Sequence, residues 1–216
     1  RRVGTSLTRW VVGGAACAGL VVAMAVASDA GKPGFADPLQ QPSAERTRAS
    51  QRPFQAIAQA GTRLVAVGQR GMIATSDDQG SSWQQRSAPV QVDLVAVDFV
   101  DKDHGWASGH DGVILHTADG GISWRRQFDG TQGAALQQWY ADWDGEGGDE
   151  YAQQIERNFG NGPWLPMLDV HFSSPQQGLA LGSFGMLLAS SDGGASWQPA
   201  LHGIDNPEYL HLNAIE

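Results

Sequence analysis

The chain has 216 residues, 41% of them hydrophobic and 17% charged, and 28 are glycine. That composition fits one ordinary globular domain with a tail and argues against disorder throughout. The formal net charge is −9. With Arg1, Arg2 and Arg9 set aside, the remainder holds 11 basic and 23 acidic residues, a net −12. Such a surface argues against nucleic acid and anionic lipid as partners, because both need a basic footprint.

The first 27 residues read as an export address. Arg1, Arg2 and Arg9 precede an apolar run from Trp10 to Ala27. Two readings stay open. One is a signal peptide cleaved after the small-x-small sequence Ala25-Val26-Ala27. The other is an uncleaved tether through residues 10–27, at the lower edge of bilayer-spanning length. Either way the arginines put the remainder across the membrane. The Arg1-Arg2 pair lacks the rest of a twin-arginine motif. Cys17, the only cysteine, lies inside the apolar run and not after it, which argues against a lipidated cysteine. The exported domain then has no disulfide. Residues 28–50 mix Pro, Gly, Ser and charges without a period and are read as a linker. The chain does not begin with Met and is read as a fragment.

Residues 51–216 repeat themselves. "TSDDQGSSW" (75–83), "HTADGGISW" (116–124) and "SSDGGASW" (190–197) share Ser/Thr-x-Asp-x-Gly-x-Ser-Trp. Asp78 and Asp119 are 41 residues apart, a propeller-blade length, each blade being a four-stranded meander. The strands follow in order. "FQAIAQ", "RLVAVG", "GMIATS" and "SWQQRS" form the first unit, and "LVAVDFV", "GWASG", "GVILHT" and "SWRRQF" the second. "LDVHFSS", "GLALG", "GMLLAS" and "SWQPAL" form the third. "HLNAIE" at 211–216 reads as the first strand of a fourth. The fold expected is an all-β propeller, with three blades and part of a fourth present.

Asp119 and Asp192 are 73 residues apart, one period plus 32. The excess is an insert at about 127–166. "GAALQQWYADW" (133–143) and "GDEYAQQIERNFG" (148–160) have helical composition. Helices do not belong in a blade, and a long insert in a compact domain is often functional. The insert departs from the repeat, so the blades are expected to stand without it.

Each repeated box is read as the hairpin between third and fourth strands. Its residues are Ser76, Asp78, Gly80 and Trp83; Thr117, Asp119, Gly121 and Trp124; and Ser190, Asp192, Gly194 and Trp197. Asp bonds local N–H groups, Gly supplies an unusual φ, Ser or Thr adds a second bond, and Trp buries its ring. The residues have backbone work to do, and three copies argue for architecture.

These are Asp boxes of the BNR type found in sialidases and sortilin-type propellers. The whole unit is more particular. "VAVDFVDKDHGWASGHDGVILHTADGGISW" (95–124) closely resembles the repeat of the photosystem II assembly/stability factor family, and "VHFSSPQQGLALGSFGMLLASSDGGASW" (170–197) follows it. The likeness covers about residues 51–216. It implies a seven-bladed full-length propeller and a non-enzymatic, exported scaffold for a membrane protein complex. That complex is photosystem II-like or, for members in non-photosynthetic bacteria, a resistance–nodulation–division-type exporter. The compartment implied is a periplasm or thylakoid-lumen-like space, with an inner-membrane anchor if residues 10–27 remain. The resemblance also implies an Arg-rich partner patch, for which Arg70, Arg125 and Arg126 stand nearest. The competing class is a glycan-active or glycan-binding propeller.

No catalytic residue, metal ligand or cofactor site is nominated. A sialidase needs an arginine triad and a Tyr/Glu nucleophile pair, and the chain has only three Tyr. No pair of carboxylates stands at glycosidase spacing. Asp142, Asp144 and Glu146 faintly echo a calcium loop, but Gln153 stands where a bidentate Glu would close it. Asp98, Asp101, Asp103 and His104 read as solvated turn residues, and His110, His116 and His171 show no metal-ligand spacing. By strand parity the insert shares a face with the turns "GQRG", "GHDG" and "GSFG". That face nominates Arg70, His110, Asp111 and Phe184, with Trp139, Tyr140 and Trp143 of the insert, as partner-binding residues.

Overall fold

The computed structural model describes residues 36–45 and 53–215. The signal or anchor reading of 1–27 lies outside them, as do Cys17 and the remainder of the 28–50 linker. The described chain is built on three four-stranded antiparallel sheets, each a simple meander. The first is β1 (Phe54–Ala60), β2 (Arg63–Gly68), β3 (Met72–Ser76) and β4 (Gln84–Arg86). The second is β5 (Leu94–Phe99), β6 (Gly105–Gly109), β7 (Ile114–Thr117) and β8 (Arg125–Phe128). The third is β9 (Met167–Phe172), β10 (Gly178–Gly182), β11 (Leu187–Ser190) and β12 (Gln198–Pro199). These are propeller blades, and the sequence-based strands match them closely.

The middle strands explain their own composition. Every residue of β3, β6 and β7 is buried. A strand covered on both faces reads as a near-continuous apolar run, without alternation. Small side chains such as Ala107 and Ala180 sit in the clusters where neighbouring blades meet. One apolar cluster joins the first two blades through Val65, Ile73, Leu94, Leu115 and Trp124. A second joins the second and third through Trp106, Phe128, Met167, Val170 and Phe172. Each large side chain so buried is worth about 1.5–3 kcal/mol.

The insert folds as α1 (Gly133–Ala141) and α2 (Gly148–Phe159), where composition placed helices. Leu136, Tyr140, Ala152, Ile155 and Phe159 belong to the second cluster. The helices therefore share the propeller core, against the expectation that the blades stand without them.

Two further expectations need correction. Residues 36–45 carry a 3-10 turn, Pro38–Gln40, and bury Leu39 in the first cluster, so this part of the linker is packed. "HLNAIE" forms no strand over 211–215. Its N–H groups go to Gly182 O (Leu212, 3.2 Å) and to the Asp169 carboxylate (Ile215, 2.9 Å). A strand is defined by its ladder, and among the described residues none follows to pair with it.

The two ends of the blades differ in dress. On one, the box turns meet the first-to-second strand turns: Gly120 N–H donates to Asp103 O (2.9 Å) and Gly193 N–H to Gln176 O (3.0 Å). On the other, the insert meets the second-to-third strand turns, and Gln154 Nε2 donates to Phe184 O (3.2 Å).

Candidate functional site

The boxes come first, because their geometry decides between site and scaffold. In the second, Asp119 Oδ1 accepts from Thr117 Oγ1 (2.8 Å), Ile122 N (3.0 Å) and Ser123 N (2.9 Å). Its Oδ2 accepts the Ser123 hydroxyl (2.6 Å). Thr117 Oγ1 in turn accepts Gly121 N–H (3.0 Å), and Trp124 Nε1 donates to Gly121 O (3.0 Å). The first box repeats this through Ser76, Asp78, Gly80, Ser82 and Trp83. The third uses Ser190, Asp192, Gly194 and Ser196, but there Trp197 Nε1 is buried without a hydrogen-bond partner. The Ser82 hydroxyl, then Ser82 N–H and Ser76, hold Asp78 down at about 2. The carboxylates are consumed by their own turns and stay ionised, which suits neither proton transfer nor ligand capture.

The opposite end carries the nominated partner residues. Arg70, Asp111 and Phe184 occupy the same place in three equivalent turns and share a left-handed backbone, φ 55°, 56° and 54°. Each is followed by a glycine of positive φ, so the side chain is lifted outward from a tight turn. Asp93 fixes the first of these turns, its Oδ1 accepting Arg70 N–H (2.8 Å). The Asp93 carbonyl accepts His110 N–H (2.9 Å). Arg70 and His110 are exposed, and Phe184 is 51% exposed. Asp111 is half-buried; burial raises its pKa, and Asp37 and Asp129 add to that against His110.

Trp139, Tyr140 and Trp143 are different. Tyr140 is fully buried, and the two tryptophans are partly so. They wrap His202, which follows the third blade: Trp143 lies 4.5 Å and Trp139 5.9 Å from its ring. Tyr140 Oη is 3.0 Å from His202 Nδ1 and accepts His202 N–H (3.2 Å). Burial pushes the Tyr140 hydroxyl up to about 12. These aromatics bolt the helices onto the blade; full burial corrects Tyr140 from surface anchor to packing, while Trp139 and Trp143 pack on one side and keep part of their surface open. The arginines do not converge either. Arg125 Nε donates to His116 Nδ1 (3.2 Å), while Arg126 bonds Leu39 O (2.6 Å) and pairs with Asp129 (3.2 Å).

Sequence reasoning missed Trp164, 67% exposed beyond α2, with Nε1 tied to Asn161 O (2.8 Å). Its flanking Pro163 and Pro166 are a legible signal of an exposed turn. A cavity of about 460 Å³ between the helices is lined mainly by Gly130, Gly133, Ile155, Phe159 and Pro163, with Thr131 and Glu156 as its polar side chains. Among the described residues no group of three or more His, Cys, Asp or Glu is placed to hold a metal.

Comparison with known proteins fits the repeats. Residues 49–137 match the family model described as photosynthesis system II assembly factor YCF48. The photosystem II assembly lipoprotein Ycf48 of Synechococcus sp. (strain CC9902) is 36% identical over 66 residues, 29% of this chain and 20% of that protein. The chloroplastic photosystem II stability/assembly factor HCF136 of Cyanidioschyzon merolae is 34% identical over 70 residues, 30% of this chain and 16% of that protein. The match thus spans a fifth or less of these relatives. A solved structure of YCF48 bound to D1 peptide is 17% identical and covers 68% of this chain and 39% of its own, with a TM-score of 0.46. An ancestral GH74 enzyme is 14% identical and covers 71% of this chain and 18% of its own, with a TM-score of 0.45. Two consecutive blades lie inside the family match and a third is built to the same plan, so the chain carries a BNR (Asp-box) propeller repeat like that of the photosystem II assembly factors.

Proposed function

We propose that the chain is a non-enzymatic, exported scaffold that helps assemble or steady a membrane protein complex of the photosystem II type. The observation that carries this is the family repeat in register over residues 49–137. The relatives described above are named for photosystem II assembly, and one solved YCF48 is named as bound to D1 peptide. The box carboxylates are absorbed by their own turns, which favours scaffold over catalyst. The working face is the insert end, where Phe184 and Trp164 present aromatic surface and Arg70 and His110 supply polar contacts. Aromatic and arginine side chains are the usual interface anchors.

The test is co-purification of the tagged chain with membrane proteins from its host. Wild type is compared with Phe184→Ala, Trp164→Ala and the double variant, each checked for unchanged thermal unfolding. Loss of a photosystem-type partner in the double variant is expected. Full retention by a folded double variant removes this face from the proposal, and wild type that captures no membrane protein removes the scaffold role. Export is checked separately by fusing alkaline phosphatase after Ser50, since that reporter is active only outside the cytoplasm.

A further inference from the structure

The insert end of the propeller is acidic. From α1 through α2, residues 133–159 hold six acidic side chains and one basic one, Arg157. The stretch 200–210 that packs beside them adds Asp205 and Glu208 and no Lys or Arg. Arg157 is turned to its own helix, its Nε donating to Gln154 Oε1 (2.9 Å). Among the described residues no ion pair involves Glu150 or Asp205.

Those two carboxylates share a cavity of about 160 Å³ with Tyr151 and Tyr209, over the apolar side chains of Leu201 and Ile204. Both rings are fixed. Tyr151 packs on the buried Tyr140, with ring centroids 5.0 Å apart. Tyr209 sits in a left-handed turn, φ 50°. Asn206 clamps that turn, its Nδ2 donating to Leu210 O and its Oδ1 accepting Leu210 N–H, both at 3.0 Å. Gly185 of the third blade allows the close approach, since a Cβ there would stand 3.1 Å from Tyr209 Cα. Tyr209 Oη reaches Glu150 Oε1 only at 3.5 Å, so the carboxylate keeps nearly all its acceptor capacity.

Acidic residues scattered on a helix are a solvated surface. Two unpaired carboxylates in one concavity with aromatic walls and an apolar floor are suited to a cation that has a flat or apolar body. An ammonium is compact and strongly hydrated. A guanidinium is planar and weakly hydrated, stacks on aromatic faces and bonds carboxylates two at a time. The cavity is smaller than the roughly 300–1,000 Å³ of small-molecule and cofactor sites, so its size suits a single side chain. Its walls are held by the fold, and a preformed site gives up little freedom on binding.

We infer that this cavity receives an arginine side chain of the partner, its guanidinium between Glu150 and Asp205 and against Tyr151 and Tyr209. Phe184 and Leu210, 51% and 61% exposed, adjoin Gly185 and Tyr209 and offer apolar surface to the residues beside that arginine. The acidic surround steers a basic surface towards the cavity. The inference rests on the scaffold reading and names the partner's chemistry at that face. Its test uses no partner complex, so it can fail while that reading stands, and co-purification can fail while the cavity still binds.

The experiment titrates the full chain, isotope-labelled in its tyrosine rings, with acetyl-arginine methylamide and separately with its citrulline analogue, which has the same shape and no charge. The chain has three tyrosines, and the fully buried Tyr140 serves as the internal reference in the NMR spectrum. Saturable shifts at Tyr151 and Tyr209 are expected with the arginine probe. The citrulline probe should bind at least about ten-fold more weakly, as for loss of a charge-assisted contact. Glu150→Gln and Asp205→Asn should each weaken arginine binding about ten-fold, with unchanged melting because both side chains are exposed. Asp144→Asn and Glu146→Gln remove the same charge outside the cavity and should change binding by less than about two-fold. Equal binding of arginine and citrulline, or equal losses from the two pairs of variants, overturns the inference. So does an arginine titration that brings no tyrosine signal to saturation.

Discussion

Trp106 of the second blade lies flat on Phe172 of the third, with ring centroids 3.5 Å apart and planes 5° apart. Its Nε1 donates to Gln127 Oε1 (3.1 Å) and to Gly193 O (3.3 Å), a backbone carbonyl in the next blade's box. One side chain thus closes the seam by packing and by hydrogen bonding. Trp106→Ala should cost about 3–5 kcal/mol, as for other fully buried aromatics. Trp106→Phe keeps ring contact but removes both Nε1 hydrogen bonds, leaving Gly193 O to Gln127 Nε2 (2.8 Å), and should cost about 0.5–1.5 kcal/mol for each bond lost. Urea unfolding of both variants checks the order; equal losses would show that the retained ring contact contributes nothing, and no loss in Trp106→Phe that the hydrogen bonds contribute nothing.

The box carboxylate is the second case. Asp119 accepts four hydrogen bonds from its own turn. Asp119→Ala leaves two N–H groups and the Ser123 hydroxyl to find water, and takes the acceptor from the hydroxyl of the buried Thr117. The expected loss is about 1–3 kcal/mol in thermal unfolding, against about 0.5–1.5 kcal/mol per typical bond. An unchanged melting temperature would contradict the structural reading of the box.

Gln79 shows why the three boxes are not identical. It holds φ 59° where the other boxes have Gly120 at 67° and Gly193 at 73°. A Cβ on Gly120 would stand 2.8 Å from Lys102 O, and one on Gly193 2.8 Å from Pro175 O. Those carbonyls belong to the longer first turns of the second and third blades. The first blade turns through Gly61 and Thr62 alone, which leaves Gln79 exposed. Gln79→Gly should therefore stabilise by about 0.5–1 kcal/mol, by removing a left-handed side chain. Gly120→Gln should destabilise by about 1–3 kcal/mol through strain and clash. Melting temperatures that move together in the two variants would refute the account.

His116 gives the chain a pH dependence. Burial first, then Arg125 and His104, lower its pKa from 6.5 to about 4. The unfolded chain therefore binds this proton more readily than the folded one. Stability from His116 is fully present above pH 6.5 and is lost as pH falls from there towards 4. The carboxylates held near 2, Asp78 and Asp101, lose their contribution mainly below pH 4, while Asp111, raised by burial, adds a slope of opposite sign above 3.8. A plot of melting temperature against pH should slope between 6.5 and 4 in wild type and flatten in His116→Gln. A slope kept by the variant would assign it to another group.

Blade order, strand limits and helices were legible because each has a local signature: a 41-residue period, glycine at the turns, helical composition in the insert. Burial across elements was not. Trp139, Tyr140 and Trp143 look like anchors in one dimension, and only the fold brings His202 among them. Leu39 is one apolar residue amid polar ones, so periodicity has nothing to count. Its Asp37-Pro38 start is a helix-cap signal, though one short turn in a Pro-rich stretch. The first strand expected at 211–216 failed for the converse reason, since local composition cannot supply a ladder partner.

The insert tests how far repeat logic extends. Replacing residues 130–162 with a short Gly/Ser connector would be harmless if blades were self-sufficient, because changing a connection's length costs only about 0.6 kcal/mol per doubling. The structure argues otherwise. Leu136, Tyr140, Ile155 and Phe159 bury their side chains in the cluster that holds Trp106 and Phe128. Each contributes about 1.5–3 kcal/mol, and together they rival the whole stability of an ordinary domain, about 5–15 kcal/mol. The deletion should therefore lose cooperative thermal unfolding and bind a hydrophobic dye through the uncovered second and third blades. Ile155→Ala, which keeps both helices, should lose about 2–5 kcal/mol while remaining two-state. A deletion variant that melts like wild type and binds no dye would show that the helices rest on the blades without supporting them. The insert could then be freely exchanged.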